Sequence, residues 1–164
     1  MREAAREIGE LIEIFRNDFS KVNEEISSVR IAEDKWTLKE IVGHLIDSAA
    51  NNHQRIVRLQ LTEELEFPDY KRDQWLSIEN HQNMKFSELL MLFYYYNIFM
   101  INIISTVDVK CLKNKWNINW DENTPFFTLE NLIIHYVNHM KIHLSHFRER
   151  LIETEDFMED KMKH

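Results

Sequence analysis

Apolar residues recur along this chain at helical rather than strand spacing. Ile8, Leu11, Ile12, Phe15, Phe19 and Val22 make one stripe, and a period of that kind predicts a helix from about Arg2 to Ser27. A second helix is expected from Thr37 to about Leu61. There Thr37 and Glu40 have capping-box spacing, Trp36 and Ile41 are placed for a hydrophobic staple, and Leu38, Ile41, Val42, Leu45, Ala49, Ile56 and Leu59 supply the apolar face. A third covers about Phe86–Val107. Thr128 caps a fourth, which is expected to end near Glu153 and leave residues 154–164 as a frayed, charged tail. The two connections, Thr62–Met84 and Asp108–Phe127, exceed the usual length of bundle loops. They hold Phe67, Tyr70, Trp75, Trp116, Trp120, Pro125 and Phe127. Disordered linkers are poor in aromatics, so both loops are expected to be ordered and to pack over one end of a bundle.

Composition narrows the class. A chain of 164 residues suffices for one domain, 1–164, with a sizeable core. Two glycines and two prolines leave few tight turns for a sheet-rich fold and no glycine loop to cradle a phosphate. The expected class is all-α, a four-helix bundle. A net charge of −8 without a basic stripe argues against a nucleic-acid partner. The single cysteine, Cys111, cannot form an internal disulfide; it fits a reducing cytoplasm and reads as an inert thiol. The N-terminus is charged from Arg2 onward and lacks an apolar signal core. The most apolar stretch, Leu89–Ile104, is shorter than the ~20 residues of a membrane span and contains Asn97 and Asn102. It reads as the buried helix of a bundle, and no membrane partner is expected.

Candidate chemistry concentrates in the last helix, where His135, His139, His143 and His146 make up half of the chain's eight histidines. On a helical wheel His143 falls inside the apolar face and His139 on its shoulder, with His146 and His135 further out. His139 and His143 are therefore the inward pair. The second helix offers His44 on one shoulder, with Ser48, Asn52 and Arg55 along the same side. A polar shoulder beside an apolar stripe, in each of two helices, is what a site between bundle helices requires. Burying imidazoles without partners costs free energy, and a third nitrogen from another helix completes a metal site. The same pattern also fits histidines that are simply hydrogen-bonded in a core. His53, His81 and His164 stand in polar surroundings and read as surface or structural residues. Glu40 and Asp47 fall on the outward side of the wheel, as a helix N-terminal charge and a solvated side chain, which leaves no evident general base. Glu-x-x-His pairs, the zincin motif and paired cysteines are all absent.

The run Trp36-Thr37-Leu38-Lys39-Glu40-Ile41-Val42-Gly43-His44-Leu45-Ile46-Asp47-Ser48, followed by Arg55, resembles the second-helix signature of the DinB/YfiT-like superfamily. His139-x-x-x-His143 is similar to the family's His-x-x-x-His motif on the last helix. Phe67-Pro68-Asp69-Tyr70 with Trp75 resembles the loop after the second helix in the YfiT-like branch. In this order the pieces span about Trp36 to Leu151. The resemblance implies an up-down-down-up four-helix bundle, often a homodimer, with one divalent metal on three histidines; these match His44, His139 and His143. His146 stands where many relatives have Gln, and His135 matches no motif. The resemblance also implies a metal-dependent enzyme acting on a small molecule, since members are regarded as hydrolases or as transferases and isomerases using a low-molecular-weight thiol. Three neutral imidazoles leave a metal its full charge and open positions, so it can lower the pKa of bound water toward ~7 or bind a thiolate. Zinc, nickel and iron all suit imidazole nitrogen. Two other readings remain open: a non-catalytic metal-binding bundle, and a helical interaction module with structural histidines.

Overall fold

The computed structural model describes residues 1–118 and 126–163. Helix α1 spans Arg2–Phe19, and its stripe of Ile8, Leu11, Ile12, Phe15 and Phe19 is buried. It stops short of the expected Ser27 because side chains compete for the backbone there. Ser20 Oγ donates to the Asn17 carbonyl, and the Asn23 side chain accepts from the Ile26 amide, capping a separate short helix α2, Glu24–Ser28. Helix α3, Leu38–Arg58, carries the expected capping box, with Thr37 and Glu40 bonding each other's backbone amides. After it come strand β1, Glu64–Glu66, helix α4, Arg72–Glu79, and a 3₁₀ turn over His81–Asn83. Helix α5 spans Phe86–Ser105. A second 3₁₀ turn, Val109–Lys113, leads to β2, Lys115–Asn117, and then to β3, Phe126–Thr128. Helix α6 begins at Leu129, with the Thr128 side chain accepting from the Asn131 amide.

The four long helices form a bundle in which α1 packs on α5 and α6, and α3 packs on the same two. Helices α1 and α3, neighbours in the long-helix sequence, thus sit across the diagonal. Their facing stripes meet in one apolar cluster containing Ile8, Phe15, Ile41, Leu45, Phe93, Met100, Tyr136 and Phe147. Asn97, fully buried in α5, accepts a hydrogen bond from the Tyr136 hydroxyl at 2.6 Å and donates to the Phe93 carbonyl. It is therefore paired where a bare amide would be costly.

Three features depart from expectation. First, the two long connections build a small sheet of order β1-β2-β3, with β1 parallel to β2 and β2 antiparallel to β3. It holds Trp116 almost wholly buried, its Nε1 donating to the Phe67 carbonyl at 2.8 Å. The described parts of the loops are thus ordered, while Trp120 and Pro125 lie outside the described residues. Second, α5 buries only one face, with Phe86, Leu89, Phe93, Asn97, Met100 and Ile104 inward. Met91, Leu92, Tyr95, Ile98 and Phe99 are exposed on the other side, so the expected buried helix is covered along one face only. At 20 residues it is also long and apolar enough, by length and composition, to cross a membrane. Third, α6 continues past Glu153 to Met162, with Thr154 fully buried against the rest of the fold.

Candidate metal centre

Helix α6 carries its apolar stripe on Leu129, Leu132, Ile133, Tyr136, Val137, Met140, Leu144 and Phe147. His143 is buried within that stripe, His139 is half-buried at its edge, His146 is half-buried and His135 is exposed. This is the order that the 3.6-residue period predicts. Residues 41–49 of α3 are all buried, since other elements cover that helix on every side. His44 is 5% exposed and faces the inward pair of α6.

One ring nitrogen from each of His44, His139 and His143 lies within 4.8 Å of the others. His44 Nε2 stands 3.1 Å from His139 Nε2, and His139 Nδ1 is 3.3 Å from Ser48 Oγ. The ring centroids are 5.0 Å apart for His44 and His139, 4.6 Å for His44 and His143, and 4.4 Å for His139 and His143. The Nδ1 atoms of His44 and His143 are buried without hydrogen-bond partners among the described residues. Burial, then the neighbouring imidazoles, pushes His44 down to about 3, His139 to about 4 and His143 to about 2. All three are therefore neutral at physiological pH, each with one ring-nitrogen lone pair to offer. Three convergent neutral nitrogens fit a divalent cation of the imidazole-preferring class.

Two cavities meet at this cluster, sharing Arg72 and His143. The smaller, about 280 Å³, is lined by Ser48, Asn52, Arg55, Tyr70, Trp116, Phe127 and His135 beside the three imidazoles. Asn52 Nδ2 donates to the Ser48 carbonyl at 2.9 Å, and its buried Oδ1 has no hydrogen-bond partner among the described residues. Arg55, 4% exposed, places its guanidinium 3.8 Å from the centre of the Trp116 ring and donates to Asp69 at 2.8 Å. Burial raises the Tyr70 hydroxyl well above its ordinary range. The wider cleft, about 860 Å³, is lined by Arg30, Lys35, Trp36, Arg72, His146 and Arg150 among others. Trp36 covers the imidazoles from this side, its ring 5.2 Å from His44 and stacked 6.4 Å from His143. Arg150 donates to the Trp36 carbonyl and holds that cover in place. The two outer histidines thus stand one at each cavity. His135 packs on Phe127 and His139, and His146 on Trp36 and His143.

The remaining candidates lie elsewhere. Cys111, half-buried, directs Sγ at the Gln60 carbonyl, 3.8 Å away. His53 Nδ1 meets the Tyr96 hydroxyl at 3.1 Å. Glu40 completes the cap of α3 and pairs with Arg30. Asp47 overturns its expectation: it is 3% exposed, because α4 and the following turn cover the flank that the wheel leaves open. His81 is also buried, at 5% exposure, which takes the structural and not the surface alternative of its reading. Local sequence gives no signal for either, since the covering segment arrives from a remote connection.

No family model and no curated protein matches this chain. Among solved structures it is similar to YfiT from Bacillus subtilis, described as "a probable metal-dependent hydrolase with an unusual four-helix bundle topology". The match has a TM-score of 0.66 and 22% identity, and covers 91% of this chain and 80% of that one. At this identity the likeness establishes the fold.

Proposed function

We propose that this chain, a four-helix bundle of DinB/YfiT-like fold, is a metal-dependent enzyme that hydrolyses a small polar molecule. In this reading one divalent cation is bound by His44, His139 and His143. The carrying observation is that three imidazoles from two helices, two buried and one half-buried, bring unprotonated nitrogens within 4.8 Å of one another. A cation held there supplies Lewis-acid polarisation of a bound substrate. The chain's own groups supply orientation. Asn52 Oδ1 accepts an N–H or O–H of the substrate, the Trp116 and Phe127 rings wall its apolar side, and Trp36 shields the imidazoles from bulk water. We also propose that the protein works as a homodimer, supported by the apolar outer face of α5.

The test begins with protein purified without a polyhistidine tag and stripped with a chelator. Zinc, nickel and iron(II) are titrated into wild type, His44→Ala and His139→Ala. Wild type is expected to take up metal at these histidines, and each variant to lose more affinity than the roughly 10–100-fold that loss of an outer partner costs. Equal uptake by wild type and both variants overturns the ligand assignment. Metal-loaded protein is then screened on small esters, amides and electrophiles, with and without low-molecular-weight thiols. Turnover in water alone supports hydrolysis, turnover only with a thiol replaces it with S-transfer, and none in either favours a binding protein.

A further inference from the structure

A second convergence of ligand-type side chains lies on the other flank of α3. Asp47 from α3, Glu79 from the last turn of α4 and His81 from the 3₁₀ turn each offer one atom, and these atoms lie within 4.8 Å of one another. His81 Nε2 is 3.1 Å from Glu79 Oε2 and 3.7 Å from Asp47 Oδ1. Asp47 and His81 are both more than nine-tenths buried, while the Glu79 side chain is 36% exposed and leaves an entry path.

As they stand, these groups satisfy one another only in part. Asp47 Oδ2 is buried without a hydrogen-bond partner among the described residues. Burial, then a side-chain hydrogen bond and the like charge of Glu79, raises the Asp47 carboxyl far above the usual range. Burial also lowers His81, favouring a neutral imidazole that can donate through Nε2 to only one carboxylate at a time. Two carboxylates meeting out of water require a shared proton or a cation between them.

The backbone is shaped for the meeting. Gly43 lies one turn before Asp47 in the middle of α3, where glycine costs about 1 kcal/mol relative to alanine. A Cβ at that position would sit 2.3 Å from His81 Nδ1, so the missing side chain is what seats the imidazole. Asn80, between Glu79 and His81, adopts φ 55°, a left-handed conformation that asparagine tolerates better than most residues. It is the one non-glycine residue of positive φ among the described residues, and it turns the chain so that both neighbours approach Asp47.

We propose that Asp47, Glu79 and His81 form a second divalent-cation site, distinct from the three-histidine cluster. Two carboxylates balance the charge of the ion, and one neutral imidazole adds a borderline donor. This set suits manganese, zinc or iron(II). The bound ion ties the Asn80 turn to α3 one turn away from His44. The proposal does not depend on the enzymatic reading.

The experiment counts ions. Chelator-stripped, tag-free protein is titrated with Zn²⁺ by calorimetry and with Mn²⁺ by the resonance signal of the free ion. Wild type, Asp47→Asn, Glu79→Gln and His139→Ala are compared, each checked for native circular dichroism. Glu79→Gln, at a half-exposed position, keeps the test valid if Asp47→Asn fails to fold. The expected result is that Glu79→Gln loses one equivalent of ion, or weakens one equivalent by at least about 10-fold, while His139→Ala retains that equivalent. Uptake by Glu79→Gln equal to wild type in number and affinity overturns the proposal and assigns the pair to a shared proton. If His139→Ala binds as wild type does while Glu79→Gln loses an equivalent, the second site stands and the three-histidine assignment falls.

Discussion

At His44, His139 and His143 burial outweighs basicity, and this has a consequence for stability. Their pKa values fall from the ordinary 6.5 to about 3, 4 and 2 in the folded protein. Below pH 6.5 the unfolded chain therefore takes up protons that the folded chain refuses, and folding stability drops as pH falls. Above pH 6.5 both states are neutral at these sites and the effect vanishes. Each group contributes a slope of at most ~1.4 kcal/mol per pH unit between its unfolded and folded values. Metal-free protein should thus show urea midpoints that are flat from pH 8 to 7 and decline steeply from 6 to 4. A variant with His143→Gln should show a shallower decline, and equal slopes in the two proteins would contradict neutral burial of His143. The wheel separates His139 and His143 from His135 and His146 because all four share one helix, where direction follows from residue number alone. It fails at Asp47, whose cover is another element.

Among elements, α3 organises the site through what it tolerates on each flank. On one side Arg55 lies over Trp116 and pairs with Asp69, joining α3 to β2 and to the segment after β1. Lysine keeps the charge but loses the planar face and the forked donors. Arg55→Lys is therefore expected to cost about 2 kcal/mol of stability, less than the roughly 3–5 of a fully buried pair because Asp69 remains partly exposed. Thermal melting checks this; an unchanged midpoint would mean that the loops hold the wall without it. On the other flank Gly43→Ala gains about 1 kcal/mol of helix propensity but drives a methyl into His81, an overpacking that costs about 1–3 kcal/mol. A net loss near 1 kcal/mol is expected in chemical denaturation, and a stabilised variant would show that His81 moves freely. The helices and their caps at Thr37 and Thr128 are legible in sequence because capping acts over three residues. The pairing of β1 with β2 is not, since those strands come from separate connections and are short.

For the whole molecule, the outer face of α5 is the surface least suited to water. Met91, Tyr95, Ile98 and Phe99 are 55%, 67%, 44% and 47% exposed along one side, and contiguous apolar surface on a helix usually marks a partner. If that partner is a second copy, Tyr95→Glu with Ile98→Glu should convert the dimer to a monomer in sedimentation experiments. Metal uptake should stay as in wild type, because neither residue lies near the imidazoles. A wild type that sediments as a monomer at all concentrations would remove the homodimer from the proposal.

The sequence by itself determined the helical stripes, the two threonine caps and the inward pair on the last helix, because these follow from the 3.6-residue period and from contacts within one turn. Its motifs also pointed to His44 as the partner of that pair. Tertiary structure decided what lies between elements: the imidazoles of α3 and α6 facing each other, Trp36 covering them, and Asp47 and His81 buried together above Gly43. It also left one apolar face of α5 in solvent. Those outcomes depend on where distant segments come to rest, and local periodicity carries no information about a neighbour dozens of residues away.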